Sequence, residues 1–134
     1  MSTRRSISVD GLHHGGQPIP SASLVRGVLV SGGIAGLDPE TGHVPDDLER
    51  QTEVIFENIR RVLEAAGGST EEIVRVTFYA RDRSSRDAIN RHWLEMFPDP
   101  DSRPARHTLT YDLPDPMLVQ CDVIAVLDEA KEQQ

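Results

Sequence analysis

The chain has 134 residues, 37% hydrophobic and 27% charged, which fits one globular domain over 1–134 and excludes a disordered polymer. Its 14 basic residues against 22 acidic ones give a net charge of −8, a field that repels phosphate backbones and disfavours nucleic-acid binding. No apolar run approaches the roughly 18 residues of a membrane span, and the basic start leads into no apolar segment, so a cytoplasmic protein is expected.

Residues 6–9 alternate briefly, and the Gly-, His- and Pro-rich stretch at 11–20 reads as loop, so 1–17 forms an N-terminal strand and loop. Residues 24–31 read as a strand on Val25, Val28, Leu29 and Val30, with Gly32-Gly33 ending it and Ile34 opening a short second one. Asp38-Pro39-Glu40-Thr41-Gly42 is a turn. From 46 to 66 the apolar period becomes helical: Leu48, Thr52, Ile55, Ile59, Val62, Leu63 and Ala66 share a stripe. Asp46 or Asp47 caps its start and Gly67-Gly68 stops it. Residues 73–80 alternate Val74, Val76, Phe78 and Ala80 against Arg75, Thr77 and Tyr79, as a half-buried strand does.

A second helix runs from Ser84 or Ser85 to Phe97, with Ile89, Trp93, Met96 and Phe97 inward, and Pro98-Asp99-Pro100-Asp101 breaks it. Two strands close the chain, 107–111 and 117–127, joined by the turn Leu113-Pro114-Asp115-Pro116, and 129–134 is expected to be a flexible tail. The order predicts an α+β sandwich, a mixed sheet with two helices on one face. On the last strand Val119, Cys121, Val123 and Ala125 share a face while Ile124 and Val126 make the other apolar, which predicts a partner subunit.

Among chemistry-bearing residues, Arg106 stands at the mouth of a strand behind the stiffening Pro104. A guanidinium is planar, permanently charged and fork-shaped, so it matches a carboxylate with two parallel hydrogen bonds; on spacing alone the simpler reading is a surface arginine paired with a local acid. Arg81, Arg83, Arg86, Arg91, Arg103 and Arg106 are the candidates for a local basic pocket. His13-His14, His43, His92 and His107 show no metal-ligand spacing, and the single cysteine excludes an intrachain disulfide or a cysteine-based zinc site. Cys121 lies in an apolar strand and reads as a small buried hydrophobe. Gly32-Gly33-Ile34-Ala35-Gly36 lacks the lysine of a phosphate loop, although free amides at 31–33 could hold an oxyanion.

Val30-Ser31-Gly32, the 38–42 turn, Asn58-Ile59, Glu64-Ala65-Ala66-Gly67, Asn90, Pro104-Ala105-Arg106, Leu113-Pro114 and Val123-Ile124-Ala125-Val126 follow in an order and spacing that resembles the RidA/YjgF family over about residues 18–128. The resemblance implies a chorismate-mutase-like α+β fold, a homotrimer with sites at subunit clefts, and no metal or organic cofactor. It implies hydrolysis of enamine and imine acids to 2-keto acids and ammonia. By the same resemblance Arg106 grips the substrate carboxylate, Ser31 and Gly32 line the cleft, and Asn90 of the second helix joins them.

Three positions depart from the family pattern. Gln120 stands where deaminating members carry a water-handling glutamate, and the substrate-binding candidates Ser21 and Thr108 stand where a tyrosine often follows the loop proline and where a cysteine lies two residues beyond the arginine. A carboxamide can orient a water and cannot take its proton. Asp122, about 7 Å along the same strand face, is a substitute base or, more simply, an ion-pair partner for an arginine. His107 points away from Arg106 by strand alternation. Three readings follow in order: an imine deaminase using Arg106 and Gln120, a non-catalytic module binding a small carboxylate, and an endoribonuclease, which the net charge places last.

Overall fold

The computed structural model describes residues 3–128; the expected tail at 129–134 lies outside the described residues. The strands are β1 (Arg4–Ile7), β2 (Ala22–Val25), β3 (Val28–Ser31), β4 (Ile34–Ala35), β5 (Ile73–Ala80), β6 (Ala105–Thr110) and β7 (Val119–Val126), with helices α1 (Leu48–Ala65) and α2 (Ser85–Met96) between them. They form one mixed sheet in the order β1-β2-β3-β7-β5-β6, with β4 also on β7. Only the β5–β6 pair is parallel among these. Among the described residues no helix is long and apolar enough to cross a membrane.

Three expectations need correction. The stretch 24–31 is not one strand: Arg26 (φ 49°) and Gly27 (φ 81°) make a two-residue turn, and β2 folds back on β3. Positive φ at both central residues is what a tight hairpin turn demands, and glycine meets it without strain. The closing strands are not a hairpin either. β7 inserts between β3 and β5, whereas β6 runs parallel to β5 at the edge, reached through the α2 crossover. Finally, a register shift between Ile73 and Arg75 turns Val74 outward, where it is 51% exposed.

The apolar stripe of α1 packs on the inner sheet face, where Leu24, Leu29, Val76, Phe78, Val119, Cys121, Val123 and Ala125 are buried with Ile55, Ile59, Leu63, Ile89 and Trp93. Each large aliphatic or aromatic group so buried contributes about 1.5–3 kcal/mol. Asp47 caps α1 through the Arg50 amide at 2.6 Å. Two fully buried amides on α1 had no signature in the apolar period. Gln51 donates to the carbonyls of Pro45 and Pro116 and accepts from the Leu118 amide. Asn58 donates to the carbonyls of Ala35 and Leu37 and accepts from Arg61. Together they tie β4 and the approach to β7 onto the helix.

The opposite sheet face is open. Val28, Val30 and Val126 are 43%, 47% and 53% exposed there, beside half-buried Ile124. That is the two-sided apolar strand read from the sequence, in register with its neighbours.

Candidate functional site

The first group of candidate residues sits between α2 and β6. Register pairs Val76 with Arg106 and Phe78 with Thr108, so both candidates leave the edge strand on its helix-covered side. On α2, Arg86, Asn90 and Trp93 lie at i, i+4 and i+7, one stripe along the helix. The Arg106 guanidinium rests 5.0 Å from the centre of the Trp93 ring, a cation–π stack that fixes the fork in place. Trp93 is held in turn by Phe78 and Phe97. Burial, then the charge of Arg86, pull the Arg106 pKa below its ordinary value. Among the described residues no carboxylate pairs with Arg106.

The six arginines proposed for a basic pocket divide cleanly. Arg81 donates to the Leu113 carbonyl at 2.5 Å and pairs with Asp115 at 2.8 Å. Arg91 pairs with Glu49, and Arg103 donates to the Phe97 and Pro98 carbonyls at the end of α2. Arg83 and Arg86 remain, both lining a hollow with Thr108 and Thr110, which lie two and four residues beyond Arg106 on β6.

The second group lies elsewhere. Gln120 pairs in register with Tyr79, which faces away from the helices, so its carboxamide points to the open side of the sheet. There it packs against Gly33 so closely that any side chain at 33 would strike its amide nitrogen. Gly33, Tyr79, Tyr111, Leu113, Gln120 and Asp122 line one hollow. Among the described residues Asp122 does not pair with an arginine as expected; its carboxylate accepts the Tyr79 hydroxyl at 2.8 Å, which raises the phenol pKa. Gln120 itself has no hydrogen-bond partner among the described residues.

Ser31 and Ser21 behave unlike each other. The buried Ser31 hydroxyl donates to the Gly32 carbonyl and accepts the Val123 amide, both at 2.8 Å, filling the gap between β3 and β4 on β7. The Gly32 amide is likewise spent, on the Ser21 carbonyl at 2.9 Å, so it is not the free oxyanion donor expected at 31–33. Ser21 carries a buried hydroxyl with no partner among the described residues, lining a hollow with His14, Gly33 and Asn58. His107 faces the open side and is exposed, and burial pushes the Cys121 thiol up, out of nucleophilic range.

Residues 20–127 match the family described as Endoribonuclease L-PSP. The chain belongs to the RidA/YjgF family. A RutC family protein of Aquifex aeolicus is 34% identical over 110 residues, 81% of this chain and 88% of that one. The 2-iminobutanoate/2-iminopropanoate deaminase of Salmonella typhimurium is 29% identical over 113 residues, covering 83% and 88%. Among solved structures, the Rid-family protein YyfA of Yersinia pestis superposes with a TM-score of 0.83 at 28% identity over 92% of this chain and 99% of that one. The fold is accordingly the chorismate-mutase-like α+β sandwich of RidA proteins.

Within this RidA fold, sequence reasoning missed Trp93 as a functional residue, because its helical spacing reads equally as core. It also missed Gly33, whose lack of a side chain makes room for Gln120.

Proposed function

We propose that this protein hydrolyses small 2-imino acids, and the enamines in equilibrium with them, to 2-keto acids and ammonia. The observation that carries the reading is Arg106: a half-buried guanidinium stacked on Trp93, with no carboxylate paired to it among the described residues. Such a group is already oriented and lacks only its anion. Family membership alongside a named imine deaminase supports the same reading.

Held by its carboxylate, a protonated imine presents C2 to water. Water adds at C2, its proton passes to nitrogen, and the C–N bond breaks to release ammonia and leave the 2-keto acid. Because the substrate is itself electrophilic, orientation and one placed water supply most of what is needed. Arg106 and Gln120 leave the sheet on opposite faces, so a site using both draws them from two copies of the chain. The open apolar face with Val28, Val30 and Val126 supports such assembly, and a homotrimer with three shared clefts is the form we propose.

Generating imines in the cuvette with an amino-acid oxidase or dehydratase tests this directly. Keto acid release is expected to accelerate with the wild-type chain and to lose that acceleration in Arg106→Ala. Equal rates with and without protein, over several imino acids, reject it.

Gln120 favours a second reading. A neutral carboxamide cannot deprotonate water, so the same cleft suits a binding module for small carboxylates. Calorimetric binding of 2-oxobutanoate, pyruvate or benzoate without any turnover distinguishes this case.

A further inference from the structure

We infer that the groove between α2 and β6 selects ligands carrying two anionic groups, with Arg106 holding one carboxylate and Arg86 receiving the second. The inference rests on the proposed carboxylate site and names its substrate class: 2-imino or 2-keto acids whose side chain ends in another carboxylate.

Of the six arginines the sequence offered, three are consumed by Asp115, Glu49 and backbone carbonyls. Arg83, Arg86 and Arg106 are left without an acidic partner among the described residues, in a chain whose net charge is −8. Arg86 sits one helical turn before Asn90 and two before Trp93, on the stripe that carries the Arg106 stack. It lines the hollow that contains Thr108 and Thr110, the next residues outward from Arg106 on its own strand face. The one carboxylate lining that hollow, Asp82, is turned toward the Ser84 amide at 2.6 Å. The Arg86 charge also acts on Arg106, a repulsion that a bridging dianion relieves. Thr108, on the strand face of Arg106 and lining the hollow with Arg86, adds a hydroxyl able to donate to a carboxylate there.

Titration calorimetry of the full chain with 2-oxobutanoate and with 2-oxoglutarate tests the inference without requiring turnover. The dicarboxylate is expected to bind about tenfold tighter or better, and Arg86→Ala to collapse that ratio to within about twofold of unity. Arg86→Lys retains part of the preference, and Arg60→Ala, which removes an equal charge from the exposed side of α1, keeps the full ratio. Circular dichroism and light scattering on each variant check fold and assembly. A wild-type ratio near one overturns the inference. So does a ratio that survives Arg86→Ala, or an Arg86→Ala chain that changes assembly and leaves the ratio intact. A dicarboxylate preference that depends on Arg86, in a protein that hydrolyses no imine, sustains this inference and rejects the deaminase reading. Turnover with a flat ratio does the reverse.

Discussion

Arg106 and Gln120 stand on opposite faces of one sheet, the first registered beside Val76 and the second beside Tyr79. Strand β5 also separates β6 from β7, adding two strand spacings of about 4.8 Å each. One copy of the chain therefore cannot close both side chains on a ligand of a few carbon atoms. Complementation follows. With the proposed shared cleft, Arg106→Ala would disable one half and Gln120→Arg would block the other by filling its hollow. Each variant alone is expected to be inactive, yet refolding equal amounts together restores about a quarter of the clefts, those that receive both native halves. Imine turnover measured against mixing ratio reads this out. A mixture as inactive as its parents refutes a shared cleft.

The Trp93 ring is the platform for the Arg106 fork, and its two jobs can be separated. Trp93→Phe keeps an aromatic face and most of the packing against Phe78 and Phe97 while weakening the cation–π stack. We expect KM to rise about two- to fivefold from a loss of about 0.5–1 kcal/mol, with kcat changed much less. Trp93→Ala is expected to cost about 3–5 kcal/mol of stability as well, from the cavity it opens. Paired steady-state kinetics and thermal melts distinguish the two. An unchanged KM in Trp93→Phe would show that the stack contributes nothing to binding.

Much of this was legible before any coordinates, and the failures have physical causes. The helices were readable because α1 carries a continuous apolar stripe and a carboxylate cap at Asp47. Arg106 was singled out by the family resemblance, since a strand-mouth arginine read from spacing alone is as readily a surface cation paired with a local acid. Strand neighbours were not readable: nothing local to 117–127 says that β7 pairs with β3 and β5 and leaves β6 alone, since that depends on the α2 crossover. The Arg26-Gly27 hairpin hid inside an apolar run because arginine rarely takes positive φ. Buried polar residues were equally invisible. Gln51 and Asn58 interrupt a hydrophobic pattern, and only the carbonyls they meet explain them.

Asn58 makes that point testable. Its amide satisfies the carbonyls of Ala35 and Leu37, on the segment that carries Gly33 toward Gln120. Asn58→Ala leaves both without their donor and frees Arg61 from its acceptor. The cost is about 2–4 kcal/mol, or roughly 10 °C in thermal midpoint for a domain of this size. Differential scanning calorimetry checks it; a shift of only a degree or two would mean that water replaces the amide at no cost.

Gly33→Ala probes Gln120 without touching it. A methyl group at 33 collides with the end of the Gln120 side chain, whereas no backbone atom stands in its way. The movable carboxamide yields and the strand does not, so the loss of stability is expected to stay below about 1 kcal/mol. What changes is where the amide points. If Gln120 orients the attacking water, Gly33→Ala lowers kcat to within about threefold of Gln120→Ala, at a thermal midpoint close to wild type. Kinetics of the two variants on one imino acid decide it. A fully active Gly33→Ala protein beside an inactive Gln120→Ala protein would show that the amide's position is immaterial, and with it the water-orienting role.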